Sequence, residues 1–454
     1  MRRQAARLFT ILISALGVVA CGGGGGGGGA FGNNVGGGTA DCSVAGQNQF
    51  VLSTMQDVYL YDDQLPTVNI ADFTSPEALL ARLVRDVDVT PEDPGNPIPD
   101  AFSFIDSAAA DSAFFNEGET VGYGFVATRL TNNELRISRV IAGSPAAFGT
   151  LSRGQQFVAI NGRSIAEIDA AEGFSAALGP QEVGVMRTFR MRRLDGSEYD
   201  VDLAREVITI DPIPQIRTYI VDGATYGYIE FTTFISTAAV ELEDAFNQFN
   251  NAGITDVIID LRYNGGGLVS IADLLGDYLG GAIAEGEVFS ETRFNDNNVA
   301  SNSIEFFQRL ANSANLSRVV FITTRGSASA SELVINSMEP HVQVDLVGTR
   351  TFGKPVGQIG AIFCEKILRP TAFETVNSLG EGRYFNGIPV DCDAADDLLL
   401  PTGDPQEASL AAALSLLSTG ACPVSTTVNE VQGPIAPFAP PEPSTTAQRE
   451  AYVW

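Results

Sequence analysis

Three short apolar runs in the second half of the chain constrain its fold more than any other feature. Each is followed by a turn rich in glycine or serine and then by a helical pattern, and the runs are Tyr226–Phe231, Val257–Leu261 and Val319–Thr323. This order predicts the buried strands of an α/β layer. Because the ligand crevice of such a layer lies beyond the carboxyl ends of the strands, we expect the turns after the second and third runs to open onto one crevice.

A serine and a lysine stand out near these turns. Ser329 follows the third run and lies between Ala328 and Ala330, whose small side chains would let a substrate backbone approach. Lys354 lies 25 positions further on and is one of only two lysines, with Lys366, in 454 residues. A serine hydroxyl needs a base to remove its proton, and a lysine can act as that base if burial lowers its pKa from about 10.4 to about 7 or 8. The pair indicates a serine peptidase with a lysine base.

The residues alone leave alternatives open at both positions. Ser327 and Ser331 lie in the same segment as Ser329, and a stretch rich in serine and alanine can simply cap a helix. Lys354 could be a solvated loop lysine. Its apolar neighbours, Phe352 and Val356, favour a dry setting instead.

Three segments carry a resemblance to a known family. They are Gly-Ser-Ala-Ser-Ala-Ser-Glu at 326–332, Thr-Phe-Gly-Lys at 351–354 and the loop Asp-Leu-Arg-Tyr-Asn-Gly-Gly-Gly at 260–267. Together they resemble the tail-specific, or carboxyl-terminal processing, proteases. The resemblance covers most of residues 45–420 and implies a protease core of the ClpP/crotonase type over residues 206–422.

The resemblance also implies a role for each matching residue. Ser329 would be the nucleophile, Lys354 the general base and Gln358 the side chain that orients the lysine. The N–H groups of Ala330 and Gly266 would form the oxyanion hole, with Gly267 as the alternative to Gly266. Asp260 and Arg262 are expected to fix the glycine loop rather than to react.

The middle of the chain, residues 119–205, is similar to a PDZ domain. Short β-like runs there are separated by Asn-Gly and Asp-Gly turns, as in hairpins. The stretch Gly122, Tyr123, Gly124 and Phe125 looks like the loop that binds a peptide carboxylate, so substrates would be polypeptides with free carboxyl termini, added as a strand. Gly122 and Gly124 could instead be plain turn glycines. The sequence Gly-Gln-Gln at 154–156 departs from the usual Gly-Asp.

The remaining segments complete the predicted organisation. Residues 43–118 are expected to form a helical N-terminal unit, in which Ser75 caps a helix and Pro76 occupies its first position. At the amino terminus, a basic start and an apolar run predict a signal peptide over residues 1–20, and Val-Val-Ala-Cys resembles a bacterial lipobox. Cys21 would then carry lipid, residues 21–42 would be a glycine-rich tether, and residues 423–454 a mobile, proline-rich tail. An ordinary signal peptide with an incidental cysteine is the alternative. The expected location is the bacterial cell envelope, on its periplasmic or outer-membrane face.

Four further cysteines agree with export, because disulfides form in oxidising compartments. Cys42, Cys364, Cys392 and Cys422 allow three pairings. We expect Cys364 to pair with Cys392 and Cys42 with Cys422.

Composition argues against several other chemistries. The formal net charge of −28 argues against a nucleic-acid partner, because that affinity rests on neutralisation of phosphates by Lys and Arg. His341, the single histidine, follows a proline in a predicted turn, so a Ser-His-Asp triad is not expected. No Cys-x-x-Cys or histidine cluster is present, and we expect neither a metal nor a cofactor.

The sequence therefore predicts an endopeptidase of exported, partly unfolded polypeptides, selected through their carboxyl termini. A lipoprotein that only binds carboxyl termini through its PDZ-like unit is one alternative. A hydrolase or acyl-CoA enzyme with a related sheet is another. Oligomeric state is left open.

Overall fold

The computed structural model describes residues 41–90, 97–130 and 132–423. The predicted signal peptide, Cys21, nearly all of the tether and nearly all of the carboxyl-terminal tail lie outside these ranges. The described residues form a mixed α/β structure with several sheets, which confirms the predicted fold class. Within them, no helix combines the length and the apolar character needed to cross a bilayer.

The N-terminal unit is mainly helical up to a short strand. Its elements are α1 (Val44–Val58), α2 (Pro76–Val84), β1 (Phe104–Ser107) and α3 (Ala108–Ser112). As predicted, the Ser75 side chain caps α2, accepting the Ala78 N–H at 3.2 Å, and Pro76 is the first helical residue. The buried face of α2 packs with α1 and with Ile105, Phe363 and Leu368 into one small apolar core.

The middle unit, residues 119–209, is predicted to be PDZ-like and is called the PDZ-like unit; it is built from short strands around a separate aromatic core. Its elements are β2 (Glu119–Gly122), β3 (Phe125–Arg129), β4 (Leu135–Val140), α4 (Pro145–Phe148), β5 (Gln156–Ile160), β6 (Arg163–Ser164), α5 (Ile165–Ala171), α6 (Phe174–Leu178), β7 (Met186–Arg192), β8 (Glu198–Ala204) and β9 (Glu206–Thr209). The main sheet has the order β3-β4-β5-β7-β8, so β3 lies at its edge. Strands β2 and β9 form a separate antiparallel pair.

The core unit contains a central sheet and the helices that cover its two faces. Its first elements are β10 (Gln215–Val221), β11 (Ala224–Glu230), α7 (Ala238–Ala252), β12 (Asp256–Asp260), α8 (Val269–Gly280), β13 (Val288–Phe294), β14 (Ser303–Phe306), β15 (Arg318–Thr323) and α9 (Ala330–Met338). The others are β16 (Gln343–Gly348), β17 (Val356–Gln358), β18 (Ala361–Phe363), β19 (Lys366–Arg369), β20 (Thr371–Val376), β21 (Cys392–Asp393) and α10 (Ala408–Thr419).

The central sheet has the order β10-β11-β12-β15-β16-β21, and all its pairs except β10 with β11 are parallel. Side chains alternate between its two faces, as the period of a strand requires. Ile259 and Phe321 pack with α7, α8 and α9, whereas Ile258 and Val320 pack with α10. Helices therefore cover both faces, which explains why the strands are apolar throughout.

Two smaller sheets complete the core unit. One has the order β14-β13-β20-β17, and the other joins β1 of the N-terminal unit to the hairpin β18–β19. The N-terminal unit is therefore connected to the core unit by backbone hydrogen bonds, with Phe104 opposite Arg369. This pairing brings residues just before β1 close to the end of β17.

The predicted disulfide pairing is wrong. Cys42 pairs with Cys364, and Cys392 pairs with Cys422. Cys364 lies in the turn of the β18–β19 hairpin, beside the start of α1, while Cys392 lies in β21 at the sheet edge, near the end of α10. The correct pairing depends on how the N-terminal unit docks on the hairpin, which cysteine spacing cannot reveal.

Candidate active site

Ser329 lies at the sharp turn between β15 and α9. Its φ of 55° and ψ of −115° are unusual for a residue with a side chain, and such backbone strain is common at functional sites. The residue is partly exposed, whereas Ser327 and Ser331 are fully buried. The Ser327 hydroxyl donates to the Leu261 carbonyl at 2.7 Å, and that of Ser331 donates to the Asn264 carbonyl at 3.0 Å. Of the three serines, Ser329 is the one that is not buried, and the other two connect its turn to the glycine loop.

The glycine loop after β12 lies directly against the serine turn. A Cβ atom at Gly266 would come 2.8 Å from Ser329 Cβ and 2.9 Å from Ala330 N, so only glycine fits there. The Asn264 side chain fixes the loop, since its Nδ2 donates to the Phe231 carbonyl and its Oδ1 accepts the Gly266 N–H, both at 2.9 Å.

This arrangement changes one predicted assignment. The Gly266 N–H, expected in the oxyanion hole, already donates to Asn264 Oδ1. The Gly267 N–H has no acceptor among the described residues, and neither has the Ala330 N–H at the start of α9. An N–H in the first turn of a helix is one that the helix itself leaves unpaired. Gly267 and Ala330 are therefore the donors that remain available beside Ser329.

A buried carboxylate joins the serine turn to the lysine segment. Glu332 Oε2 accepts the N–H of Ser329 at 3.0 Å and that of Lys354 at 2.9 Å. Its Oε1 accepts the Gly353 N–H at 2.7 Å and the Thr351 hydroxyl at 2.6 Å. Burial raises the pKa of Glu332 to about 7, against the effect of these hydrogen bonds. Glu332 was not among the predicted site residues, although its position three residues after Ser329 places it in the first turn of α9.

Lys354 is half-buried near the serine turn. Burial of the ammonium lowers its pKa to about 8, while the charge of Asp100 acts in the opposite direction. Lys354 Nζ donates to Gln358 Oε1 at 2.8 Å and lies 5.6 Å from the centre of the Phe102 ring. Among the described residues, no hydrogen bond joins Nζ to the Ser329 hydroxyl.

The predicted orienting residue, Gln358, is itself held from two sides. Its Nε2 donates to the Phe102 carbonyl at 2.6 Å and to the Arg369 carbonyl at 3.2 Å. Phe102 belongs to the N-terminal unit, so a segment distant in sequence contributes to the surroundings of Lys354. No sequence signal pointed to this contribution.

The charged residues of the glycine loop are structural, as expected. Arg262 is 1% exposed and pairs with Asp260 at 2.6 Å and with Glu407 at 2.8 Å. Arg153 of the PDZ-like unit donates to the Tyr263 hydroxyl at 2.8 Å and pairs with Asp396. The loop is therefore supported from the core unit and from the PDZ-like unit together.

The predicted peptide-binding residues line a cavity of about 110 Å³ in the PDZ-like unit. The cavity lies beside the edge strand β3, and its lining includes Gly122 to Phe125 together with Phe174 and Leu178 of α6. Gly124 has a φ of 87°, and a Cβ there would come 2.0 Å from Ser144 Cβ, so glycine is required. The Tyr123 hydroxyl donates to the Leu178 carbonyl at 3.1 Å and so ties the loop to α6.

His341 lies outside the crevice. Its Nε2 is 3.0 Å from the Val288 carbonyl oxygen, and its ring packs edge-on against Phe307. The structure thus brings together the Ser329 turn, the glycine loop and Lys354 with Gln358, and it leaves the histidine elsewhere.

Comparison with known proteins points to one family. Residues 225–392 match the family model for peptidase family S41, and residues 46–104 match that for the peptidase S41 N-terminal domain. A solved structure from Bacteroides fragilis, assigned to the S41 proteases, aligns with a TM-score of 0.62 and 25% identity, covering 82% of this chain and 97% of that one.

Curated relatives are carboxyl-terminal processing proteases. The chloroplastic carboxyl-terminal-processing peptidase 3 of Arabidopsis thaliana is 30% identical over 258 residues, which is 54% of this chain and 47% of the relative. The carboxy-terminal-processing protease of Bartonella bacilliformis is 26% identical over 272 residues, which is 57% of this chain and 59% of the relative. The chain thus spans about half the length of the curated relatives it matches.

Proposed function

We propose that this chain, which belongs to the S41 family of carboxyl-terminal processing proteases, is a serine endopeptidase in which Ser329 is the nucleophile and Lys354 the base. The observation that carries the proposal is the environment of Lys354. Burial lowers the pKa of its ammonium to about 8, so an appreciable fraction is uncharged near neutral pH. Its Nζ is also oriented by Gln358.

The reaction follows from these positions. Lys354 Nζ removes the proton from Ser329 Oγ, which bonds to the substrate carbonyl carbon, and the Gly267 and Ala330 N–H groups would stabilise the resulting oxyanion. Lys354 returns the proton to the leaving amine, which breaks the peptide bond. Water, deprotonated by the same amine, then hydrolyses the acyl-enzyme and regenerates Ser329. Hydrogen bonds of a catalytic pair often form only in the complex with substrate, so an Oγ–Nζ bond is expected there.

We further propose that polypeptides are selected through their carboxyl termini. The edge strand β3 has a free side to which an extended peptide can add, and the cavity next to it is lined by Phe125, Phe174 and Leu178. Exported, partly unfolded polypeptides are the proposed substrates. Export and lipid anchoring through Cys21 stay predictions from the sequence.

The proposal is tested by cleavage of an unfolded casein-like substrate. Ser329→Ala and Lys354→Ala should each abolish turnover. The thermal transition should stay within about 2 °C of wild type, because each change removes one partly exposed side chain from a large folded chain. Lys366→Ala is the matched control, since it removes the other lysine, which pairs with Glu77 away from Ser329. Turnover that survives in either active-site variant would contradict the proposed chemistry.

The same assay tests selection by the carboxyl terminus. A peptide substrate whose terminus is amidated cannot offer a carboxylate to the Gly122–Phe125 loop, so its KM should rise about tenfold with kcat nearly unchanged. Equal KM values for the acid and the amide would exclude the proposed selection and leave the catalytic assignment untouched.

A further inference from the structure

Just before β1, several hydrogen bonds converge on one carboxylate, that of Asp100. Asp100 is 3% exposed and accepts five hydrogen bonds. They come from the Tyr59 hydroxyl at 2.8 Å, the Phe102 N–H at 2.8 Å, the Ser103 N–H at 3.2 Å, the Ser103 hydroxyl at 2.6 Å and the Thr371 hydroxyl at 3.3 Å. Because four of these donors belong to the N-terminal unit and the fifth to β20, the carboxylate fixes how the two units meet.

A chain of hydrogen bonds leads from this carboxylate to the base. Asp100 Oδ1 accepts the Phe102 N–H at 2.8 Å, and the carbonyl of Phe102 accepts Gln358 Nε2 at 2.6 Å. Gln358 Oε1 then accepts Lys354 Nζ at 2.8 Å. The centre of the Phe102 ring also lies 5.6 Å from Lys354 Nζ. The orientation of Lys354 is therefore determined in part by the N-terminal unit.

We propose that Asp100 is a positioning residue for Lys354, acting through the Phe102–Gln358 hydrogen bonds and through its own negative charge, so that the N-terminal unit completes the active site. This inference rests on the proposed function, because it concerns the base of that reaction. It adds a residue more than 200 positions before Ser329 in the sequence.

The charges around Lys354 identify Asp100 as the strongest influence after burial. Three charged groups affect the pKa of Lys354: Asp100 from the N-terminal unit, Arg369 from β19 and Glu332 from α9. The two carboxylates raise the pKa of Lys354 and Arg369 lowers it, with Asp100 having the largest effect of the three. Arg369 forms a two-pronged ion pair with Asp111 at 2.5 and 2.6 Å. Asp100 therefore limits how far burial can lower the pKa of the base.

Removal of the Asp100 charge is expected to lower the pKa of Lys354. In Asp100→Asn the side-chain oxygen can still accept the Phe102 and Ser103 N–H groups, so the turn is preserved. Loss of the negative charge disfavours the ammonium, which lowers the pKa of Lys354 and increases its uncharged fraction at a given pH below 8. Activity that depends on the uncharged lysine should then begin at lower pH.

The experiment compares the pH dependence of kcat/KM and kcat for the full chain and its Asp100→Asn variant. In the wild type the rising limb should have its midpoint near pH 8. In the variant the midpoint should move to lower pH, so that the ratio of activity at pH 6.5 to that at pH 9 rises about threefold or more. Asp88→Asn is the matched control, since Asp88 also accepts two N–H groups in the N-terminal unit, from Thr90 at 2.9 Å and Ile98 at 3.0 Å. It should keep the wild-type profile.

A second measurement does not depend on catalysis. Acetic anhydride reacts with uncharged amines, and with only two lysines in the chain the acetylation of Lys354 can be followed by mass spectrometry as a function of pH. The labelling midpoint should move down in Asp100→Asn, and Lys366 serves as an internal reference. If Asp100→Asn does not fold, Asp100→Ser retains an oxygen near the Phe102 N–H and should shift the midpoint in the same direction.

The outcomes separate the two proposals. An unchanged labelling midpoint, or a loss of activity that is equal at every pH, would overturn the role of Asp100. Retention of activity in Lys354→Ala would overturn the proposed function, whatever the labelling of the Asp100 variant. A midpoint that moves down in both assays, with Asp88→Asn unchanged, supports the inference.

Discussion

The nucleophile and the base of the candidate site are positioned in different ways. Ser329 is held by the turn into α9 and by the glycine loop packed against it, and residues of the PDZ-like unit support that loop. Lys354 is oriented by Gln358, which is held by the carbonyls of Arg369 in the core unit and Phe102 in the N-terminal unit. The surroundings of the proposed nucleophile are therefore set by two turns at the ends of neighbouring strands, whereas those of the proposed base include a contact with the N-terminal unit.

The largest effect is expected from Glu332, whose side chain bonds both the Ser329 turn and the Lys354 segment. In Glu332→Gln only one carboxylate oxygen is kept as an acceptor, so either the Ser329 and Lys354 N–H groups or the Gly353 N–H and the Thr351 hydroxyl lose their partner. We expect kcat to fall about 100-fold, because small displacements of reacting groups are costly, and stability to fall by about 1–3 kcal/mol. Steady-state kinetics and urea unfolding measure the two effects.

Glu339→Gln is the control for that variant, since Glu339 lies at the other end of the same helix. A kcat within about threefold of wild type in Glu332→Gln would mean that the shared carboxylate is dispensable and that the two halves are held independently.

An intermediate effect is expected from a change on the lysine side only. Gln358→Glu places a negative charge next to Nζ and removes the donors to the Phe102 and Arg369 carbonyls. The added charge favours the ammonium and raises the pKa of Lys354, so activity at pH 7 should fall about tenfold while much of it returns at pH 9. The pH-rate profile measures this shift, which is opposite to that expected for Asp100→Asn. Gln406→Glu, at an exposed position, controls for added charge; a uniform loss at all pH values would argue against control of the base by charge.

The smallest effect on turnover should come from the disulfides. Replacement of both Cys42 and Cys364 by serine releases a bond between residues 322 positions apart, and replacement of Cys392 and Cys422 releases one across 30 positions. In the chain-entropy description the first loss destabilises by about 2 kcal/mol more than the second, because the larger loop restrains the unfolded chain more. Turnover at 25 °C should stay within about twofold in both variants. Comparative urea unfolding checks the order, and equal losses of stability would contradict it.

The sequence predicted the elements that are continuous in the chain. The buried strands, the turn at Ser329 and the cap of α2 at Ser75 are encoded by local patterns of apolar, small and capping residues, and the structure places them as expected. Residue type did not distinguish Ser329 from Ser327 and Ser331; the family resemblance selected Ser329, and in the structure the other two serines are fully buried.

The wrong disulfide pairing and the unpredicted contacts near Lys354 share a physical cause, which is distance along the chain. The disulfide pairing, and the parts played by Asp100 and Phe102, depend on how the N-terminal unit docks beside the β18–β19 hairpin. The Gly266 N–H, predicted as an oxyanion donor, is engaged for a shorter-range reason, since it donates to the Asn264 side chain. A side-chain acceptor of that kind cannot be inferred from the glycine spacing.

Because Phe102 contacts Gln358 and Lys354, the core unit does not provide the surroundings of Lys354 by itself. The stretch from residue 206 to 423 contains the serine, the lysine and the glycine loop, yet on its own it would expose the lysine to water and return it to ordinary basicity. If Lys354 is the base, as proposed, we expect an excised core to cleave its substrate only at strongly alkaline pH.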